Sequence, residues 1–285
     1  MSGEPLVAVI GGSGLCQQDV FPVIETVRPT TAYGETSDAI DICTYHDVTG
    51  SERTLAFLPR HGGDHTLAPH EVPYRANLAA LRSLGVQQII ATCIAGSLRR
   101  RVRPGDLVLP DQFVNLTWGR DPDGPAELIH VPMADPYCPR LRTLCAETGA
   151  QGGLRTHKRG TVAVIQGPRF STRAESRWFA RQGWSLVNMT QYPECYIARE
   201  FGLCYATMAM ITDYDIGVGR RRVSFSTDTS VRPVLDIFRR NVAAIKNLLA
   251  ATAAHLPVDG SCGCNRPLPP EYYKQQEALH TGQVP

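Results

Sequence analysis

The strongest constraint on the fold is a series of short, continuously apolar runs separated by segments with helical spacing. The first run, Leu6 to Ile10, ends abruptly at Gly11-Gly12-Ser13-Gly14, a pattern typical of a buried strand followed by a tight turn. Continuous apolar runs are characteristic of central strands that are buried on both faces of a sheet. We therefore predict further strands at 54–58, 87–92, 106–109, 161–165, 185–188 and 204–212.

Two segments between these runs have the apolar spacing of amphipathic helices. One extends from Tyr74 to Leu84, and the other from Val234 to Leu249 with Pro233 in its first turn. Alternation of strands and helices predicts an α/β fold. We expect a single domain with a mixed, largely parallel central sheet that is flanked by helices.

Composition and charge exclude several classes of protein. With 285 residues, of which 43% are hydrophobic and 20% charged, the chain can bury a full core. Its formal net charge of +2 is too small to predict the clustered basic face with which proteins meet nucleic acid. The N-terminal sequence lacks the pattern of an export signal, and no apolar stretch is long enough to span a membrane. We expect a cytoplasmic protein with neither nucleic acid nor membrane as a partner.

The chain has nine cysteines, whose spacing matches neither a zinc motif nor a small disulfide scaffold. Most are expected to be buried as small hydrophobic residues. Cys262 and Cys264 lie in a tail rich in Pro and Gly, which we assign to 257–285, after a predicted domain at 1–256. For this pair two interpretations stay open: a disordered end, or a stapled or redox-active pair.

Polar clusters follow several predicted strands, and ligands of α/β sheets gather beyond the carboxyl ends of strands. The clusters that directly follow the apolar runs lie at 11–14, 60–65, 92–97, 188–190 and 212–215. These five segments are therefore the candidates for a binding site.

Three of the clusters carry groups suited to an anion. Glycines at 11–14 let an anion approach the backbone, and Ser13 adds a hydroxyl, although neither a full dinucleotide fingerprint nor a Walker lysine is present. Arg60 suits bidentate contact with phosphate oxygens, with His61 beside it and Thr190 as a further hydroxyl. His61 and His65 are four residues apart, but the glycines between them disfavour a helix, so we expect no metal there.

Two carboxylates, Asp213 and Asp215, close the long apolar run that starts at Cys204. In isolation such a pair is usually a helix cap or a loop feature. Next to a presumed anion pocket, it becomes a candidate for acid–base chemistry.

Taken together, these motifs resemble those of the 5′-methylthioadenosine phosphorylases, a branch of the trimeric purine nucleoside phosphorylase family. The resemblance runs in order across about residues 6 to 254. It rests on Val9-Ile-Gly-Gly-Ser-Gly-Leu15, Arg60-His-Gly, Gly167-Pro-Arg-Phe-Ser-Thr-Arg-Ala-Glu175, Asn188-Met-Thr190 with Pro193-Glu194, and Thr212-Asp-Tyr-Asp215.

This resemblance implies a purine nucleoside phosphorylase-like fold and a role for each matched residue. Phosphate is expected to be held by Ser13, Arg60, His61, Cys93, Ile94 and Thr190. The purine and ribose are expected to contact Phe170, Ser171, Met189, Asp213 and Asp215, the two aspartates being the catalytic residues. The 5′ substituent is expected to lie against Val231, Val234, Leu235 and the His130 of a neighbouring subunit, in a trimer or a dimer of trimers.

The implied reaction is phosphorolysis of the N-glycosidic bond of 5′-methylthioadenosine, with inorganic phosphate as co-substrate and no cofactor. Negative charge develops on the departing purine, which needs a donor at N7. Asp213 beside a second carboxylate is expected to have a raised pKa and to supply that proton. A carboxyl group also favours a 6-amino purine over a 6-oxo purine, since it accepts from the exocyclic amino group.

One segment departs from the family pattern, because Cys93-Ile94 stands where the family is expected to have a hydroxyl or amide residue and then a small residue. Cys93 is a weaker donor, and as a nucleophile it has no defined base. Two alternatives therefore stay open. Besides phosphorolysis of 5′-methylthioadenosine, the first alternative is a phosphorylase for another purine nucleoside (5′-deoxy- or 5′-haloadenosine, inosine or methylthioinosine), and the second is a non-catalytic nucleotide- or anion-binding protein.

Overall fold

The computed structural model describes residues 6–12, 15, 20–120, 130–218, 231–256 and 262–264. Its strands, numbered along the chain, are β1 (Leu6–Gly11), β2 (Val23–Val27), β3 (Ile40–His46), β4 (Glu52–Pro59), β5 (Val86–Ser97), β6 (Leu107–Val108), β7 (Gln112–Leu116), β8 (Thr156–His157), β9 (Thr161–Ile165), β10 (Leu186–Asn188) and β11 (Cys204–Tyr214). The helices in these ranges are α1 (Tyr74–Ser83), α2 (Pro139–Gln151), α3 (Arg173–Arg181), α4 (Gln191–Glu200) and α5 (Val231–Ala254).

All described strands belong to one sheet with the main order β2-β3-β4-β1-β5-β10-β9-β7. At its centre β1 runs parallel to both β4 and β5, and β11 also runs parallel to β5. The prediction of a mixed, largely parallel sheet is confirmed, with β10 antiparallel to β5 and β3 antiparallel to β4. The carboxyl ends of β1, β4, β5 and β11 consequently share one edge of the sheet.

Burial on both faces explains the continuous apolar runs. Along β1, Ala8 and Ile10 pack into one core with α1 and α4, whereas Val7 and Val9 pack into another with α2 and α5. Successive side chains of a strand point to opposite faces, so a central strand between two helical layers needs apolar residues at every position. None of the helices in the described ranges is both long and apolar enough to cross a membrane.

The predicted strands and the two predicted helices are confirmed, with shifted boundaries. Strands β2, β3, β7 and β8 and helices α2, α3 and α4 were not predicted from the sequence. For β2 and α3 the reason is exposure: β2 is largely exposed, and α3 buries only Ser176 and Phe179, so neither has a continuous apolar signal. Helix α4 is largely buried, but polar residues such as Gln191, Glu194 and Glu200 are among its buried positions and interrupt the apolar pattern. The assignment of a separate tail at 257–285 stays a prediction.

A buried ion pair joins helices α1 and α4. The Nη atoms of Arg75 donate to the two carboxylate oxygens of Glu200 at 2.7 and 3.0 Å. Both side chains are at least nine-tenths buried. The two helices on this face are thus held together at the point where α1 begins and α4 ends.

Replacing Glu200 with alanine is expected to destabilise the chain strongly, because it leaves the Arg75 guanidinium buried without its carboxylate. Breaking a buried pair of this kind costs about 3–5 kcal/mol of unfolding free energy. Urea denaturation followed by circular dichroism measures it. The matched control is Arg169→Ala at the exposed Arg169–Glu175 pair, which should change the free energy by less than about 1 kcal/mol. Equal effects of the two substitutions would contradict the assignment.

Candidate active site

A cavity of about 430 Å³ lies at the edge of the sheet where the carboxyl ends of the central strands meet. All five polar clusters singled out from the sequence contribute to it. The residues that line it from those clusters are Gly12, Arg60, His61, His65, Cys93, Ile94, Ala95, Gly96, Asn188, Met189, Thr190, Thr212, Asp213 and Asp215. Arg60 and Asp213 therefore face one cavity, as the sequence analysis required.

Arg60 is held in place by a buried carboxylate. Its Nε and Nη2 atoms donate to the two oxygens of Glu194 at 2.6 and 2.8 Å, and Nη1 donates to the Thr92 carbonyl at 2.9 Å. Glu194 also accepts from the Tyr205 hydroxyl at 2.6 Å. Burial opposes the charge of Arg60, but Glu194 raises its pKa and keeps it protonated. A guanidinium has more N–H groups than these three bonds use, so donors remain for an anion at the cavity edge.

Glycine at position 12 lets this arrangement form. A Cβ atom on Gly12 would lie 2.6 Å from the Thr92 carbonyl oxygen and 3.2 Å from Nη1 of Arg60. The Gly12 N–H donates to the Thr92 hydroxyl at 3.0 Å, so the ends of β1 and β5 are tied together. The absence of a side chain thus brings the β1 turn next to the guanidinium.

The ring of His61 is neutral and its tautomer is fixed. Nδ1 lies 2.9 Å from the Leu67 carbonyl oxygen, which can only accept, so Nδ1 carries the proton and Nε2 is an acceptor. Burial and the nearby charge of Arg60 lower the pKa of His61 to about 4. Residues 60–65 form turns rather than a helix, as the glycines predicted, although the rings of His61 and His65 lie 4.7 Å apart.

Strand β5 and the start of α4 supply the rest of this end of the cavity. Cys93 is 5% exposed, and burial raises the pKa of its thiol to about 12. It is therefore protonated at neutral pH, which argues against a nucleophilic role. Thr190 is buried at the N-terminus of α4, with its backbone N–H bonded to Asn188 at 2.6 Å.

Two carboxyl groups lie at the other end of the cavity, and a β-bulge aims them. The register between β11 and β5 shifts between Ile211 and Asp213, so Thr212 is the extra residue. The Thr212 hydroxyl donates to Oδ1 of Asp213 at 2.7 Å. Burial raises the pKa of Asp213, and the charge of Asp215 adds to this effect while the Thr212 hydrogen bond opposes it. A carboxyl group in this environment is suited to holding a proton.

Asp215 is the more deeply buried of the two carboxyl groups. It is 8% exposed, its Oδ2 has no hydrogen-bond partner, and burial raises its pKa although the Ser176 hydroxyl opposes the shift. Ser171 lines the same cavity, and its hydroxyl also opposes the rise in the pKa of Asp215. Unsatisfied polar atoms are rare in protein interiors, so this wall has the character of a ligand site rather than of a packed core.

An exposed aromatic residue and a methionine complete the described wall. Phe170 is 73% exposed at the cavity, and Met189 is half-buried beside it. Gly167 has a φ of +64°, and a Cβ there would lie 2.6 Å from Sδ of Met189. Glycine thus allows the 166–171 loop to pack directly on Met189.

Five of the predicted site residues are not among the described residues that line this cavity. Ser13 falls outside the described residues, and so do the side chains of Val231, Val234 and Leu235, whose backbone is in the first turns of α5. His130 is exposed and does not line the cavity of its own chain. The roles implied for all five stay predictions.

Two residues that organise the site had no role in the sequence analysis. Glu194 was part of a quoted motif, and the need of a buried arginine for a carboxylate was the signal that could have identified it. The guanidinium of Arg120 donates to the carbonyl oxygens of Gln166, Met189 and Tyr192. Arg120 thereby joins the two loops that carry Phe170 and Met189, a long-range contact with no local sequence signal.

Comparisons with known proteins show similarity to phosphorylases over most of the chain. A family model described as the Phosphorylase superfamily matches residues 6–254. Over 261 residues the chain is 46% identical to S-methyl-5′-thioadenosine phosphorylase of Mycolicibacterium smegmatis, covering 90% of this chain and 93% of that protein. Over 263 residues it is 42% identical to the enzyme of the same name from Pyrococcus abyssi, covering 91% of this chain and 96% of that protein.

A solved structure is similar over nearly its whole length. Methylthioadenosine phosphorylase from Schistosoma mansoni, in complex with adenine, superposes with a TM-score of 0.80 at 32% sequence identity. The alignment covers 98% of this chain and 99% of that chain. The expected fold of the purine nucleoside phosphorylase type is confirmed.

Replacing Asp215 with asparagine is expected to stabilise the chain at neutral pH. The folded-state pKa of Asp215 is raised above the unfolded value of about 3.9, so ionisation at neutral pH penalises the folded state. Asparagine has no such penalty, and the advantage should disappear as the pH falls below the unfolded-state value. Denaturation midpoints across pH measure it.

The matched control for this measurement is Asp47→Asn. Hydrogen bonds, first of all from Thr49, lower the pKa of the partly buried Asp47 carboxylate, so this substitution should weaken the fold at neutral pH instead. If Asp215→Asn also destabilised the chain at neutral pH, the raised pKa of Asp215 would be ruled out.

Proposed function

This chain belongs to the Phosphorylase superfamily, and on that premise we propose that it cleaves 5′-methylthioadenosine with inorganic phosphate. The products are adenine and 5-methylthioribose 1-phosphate, so the enzyme is a pentosyltransferase of purine and methionine salvage. Support comes from relatives at 40–46% identity that carry the name S-methyl-5′-thioadenosine phosphorylase. The observation that carries the mechanism is one cavity with an anion-binding end and a carboxyl end.

At the anion end, phosphate is the nucleophile. Arg60, the Thr190 hydroxyl and free backbone N–H groups donate to its oxygens, while Nε2 of His61 accepts from the protonated oxygen of hydrogen phosphate. Because Glu194 already balances the charge of Arg60, binding depends on directed hydrogen bonds more than on net positive charge. Holding phosphate close to C1′ makes its attack effectively unimolecular.

At the carboxyl end, the departing purine is stabilised. As the glycosidic bond breaks, the sugar gains positive charge and the base gains negative charge. Burial raises the pKa of Asp213, which favours its role as the donor to N7 of the purine. Asp215 stands beside it as the second carboxyl group of the pair, and its charge favours the protonated form of Asp213.

The same carboxyl group selects the purine. It can donate to N7 and accept from an exocyclic amino group, whereas a 6-oxo purine offers a second acceptor at that position. An aspartate at 213 therefore favours adenine over hypoxanthine. Phe170 and Met189 provide the apolar surfaces against which the ring and the ribose pack.

The 5′ end of the substrate is assigned to an interface between subunits. An apolar wall of Val231, Val234 and Leu235 suits a methylthio group and leaves a 5′-hydroxyl without a partner. His130, exposed on its own chain, is assigned to the site of a neighbouring subunit. We therefore propose a homotrimer or a dimer of trimers as the active form.

The reaction needs no cofactor, since phosphate is both nucleophile and acceptor. The charged phosphate and sugar phosphate do not cross a lipid bilayer unaided, which supports a cytoplasmic location. Base release from 5′-methylthioadenosine, adenosine, inosine and methylthioinosine, each with and without phosphate, tests the whole proposal. Phosphate-independent release, or a preference for the 6-oxo substrates, would contradict it.

Asp213→Asn is expected to lower kcat on 5′-methylthioadenosine by about 10²- to 10⁴-fold, because the amide cannot transfer a proton to N7. The wild-type kcat should fall as the pH rises through the raised pKa of Asp213, since the protonated form is the active one. In the variant this limb of the pH profile should disappear. Steady-state kinetics across pH give both results, and the KM for phosphate serves as the internal control because it should change little.

Thr190→Val is expected to raise the KM for phosphate by roughly 10-fold or more, since a hydrogen bond to a charged group contributes about 1.5–3 kcal/mol. This substitution keeps the shape of the side chain, whereas Arg60→Ala would leave Glu194 buried without its partner and disturb the fold. Thr207→Val, at a buried threonine whose hydroxyl donates to Gln191, is the matched control. An unchanged KM for phosphate in Thr190→Val would remove Thr190 from the anion site.

A further inference from the structure

Four cysteines that are distant in the sequence meet in the folded chain. The Sγ atoms of Cys138, Cys204, Cys262 and Cys264 all lie within 4.8 Å of one another. Cys262 lies 3.0 Å from Cys204 and 3.7 Å from Cys138, measured between Sγ atoms. Among the described residues this is the only group of three or more potential metal ligands at such distances.

Packing of three separate elements creates this cluster. Cys138 precedes helix α2, and its N–H donates to the Tyr205 carbonyl at 2.8 Å, which places it beside Cys204 at the start of β11. The segment 262–264 follows α5 and covers both. Three of the four side chains are buried, with Leu141 and Ala206 in the same small core.

Four sulfur ligands at these distances match a particular metal chemistry. Zn²⁺ bound by four thiolates at about 2.3 Å in tetrahedral geometry requires Sγ–Sγ distances of about 3.8 Å. The Cys138–Cys262 distance of 3.7 Å matches that value, the Cys204–Cys262 distance of 3.0 Å is shorter, and all four sulfur atoms lie within 4.8 Å of one another. Soft thiolates in a tetrahedral set select zinc over the hard cations, which prefer oxygen. Because all four ligands come from the chain, no position stays open for substrate, which is characteristic of a structural site.

A cation lies beside the cluster and offsets part of the negative charge that four thiolates would bring. The Arg140 guanidinium donates to Gln88 at 3.2 Å, and Gln88 is the cross-strand neighbour of Cys204. Arg140 follows Cys138 by two residues at the start of α2, where the helix dipole also favours negative charge.

We propose that Cys138, Cys204, Cys262 and Cys264 bind one structural Zn²⁺ ion that anchors the segment after α5 to the sheet. Binding releases the thiol protons to solvent and involves no electron transfer. The site is remote from catalysis, because Cys204 and Asp213 are at opposite ends of β11, about 30 Å apart for an extended strand. The proposal is independent of the proposed function.

Metal analysis of the full-length chain, purified without a histidine tag and dialysed against EDTA, tests the assignment. We expect about one zinc per chain by plasma mass spectrometry, released when an organomercurial titrates the thiols. Reconstitution with Co²⁺ should give the absorption bands of a tetrahedral cobalt tetrathiolate. Cys264→Ser should retain less than about a tenth of the zinc and melt at a lower temperature.

The matched control is Cys43→Ser, which makes the same substitution at a buried cysteine of β3 outside the cluster and should keep the zinc. Phosphorolysis by Cys264→Ser below its melting temperature should match the wild type, because the cluster does not contact the cavity. Three results would overturn the proposal: bound iron in place of zinc, four freely alkylated thiols without metal, or a non-reduced mass that shows disulfides among the four cysteines.

Discussion

The buried ion pair between Arg60 and Glu194 is the constraint on which the organisation of the cavity depends. It joins the turn after β4 to helix α4, and the Tyr205 hydroxyl ties the same carboxylate to β11. Through Thr92 the guanidinium also contacts β5. One charge pair thus fixes four elements whose ends surround the cavity. A buried ion pair is costly to form. Its contribution here is to fix the relative positions of these elements rather than to add net stability.

The two ends of the cavity use burial in opposite ways. At the anion end, Glu194 compensates the charge of Arg60, so a fully desolvated guanidinium keeps its charge. At the carboxyl end no basic side chain is paired with Asp213 or Asp215 among the described residues, and burial raises the pKa of both. The first environment holds a permanent donor, and the second holds an exchangeable proton. Nucleoside phosphorolysis needs both within the length of one substrate.

Much of this arrangement could be predicted from the sequence, because a polar residue directly after a continuous apolar run indicates the end of a buried strand. Arg60 and Asp213 each follow a continuously apolar run, and the parallel strands β4, β1, β5 and β11 bring their carboxyl ends to one edge. Asn188 also follows an apolar run, but its strand β10 is antiparallel to β5, so the parallel arrangement alone does not predict its position. Glu194 and Arg120 could not be assigned in this way, since their roles depend on contacts across the fold. The same is true of the four-cysteine cluster, whose members are separated by spacings that match no local motif. Exposed elements such as β2 were missed because they lack an apolar pattern.

The tight approach of β1 to β5 at Gly12 also limits how the anion site can change during evolution. Any side chain at position 12 would collide with the Thr92 carbonyl, and Arg60 is committed to Glu194. Cys93 is buried as well, and its thiol accepts from Nε2 of Gln191 at 3.8 Å. Gln191 is itself held in place, because its Oε1 accepts from the hydroxyl groups of Tyr137 and Thr207. A change of anion preference at this end of the cavity therefore requires compensating substitutions in more than one element of the fold.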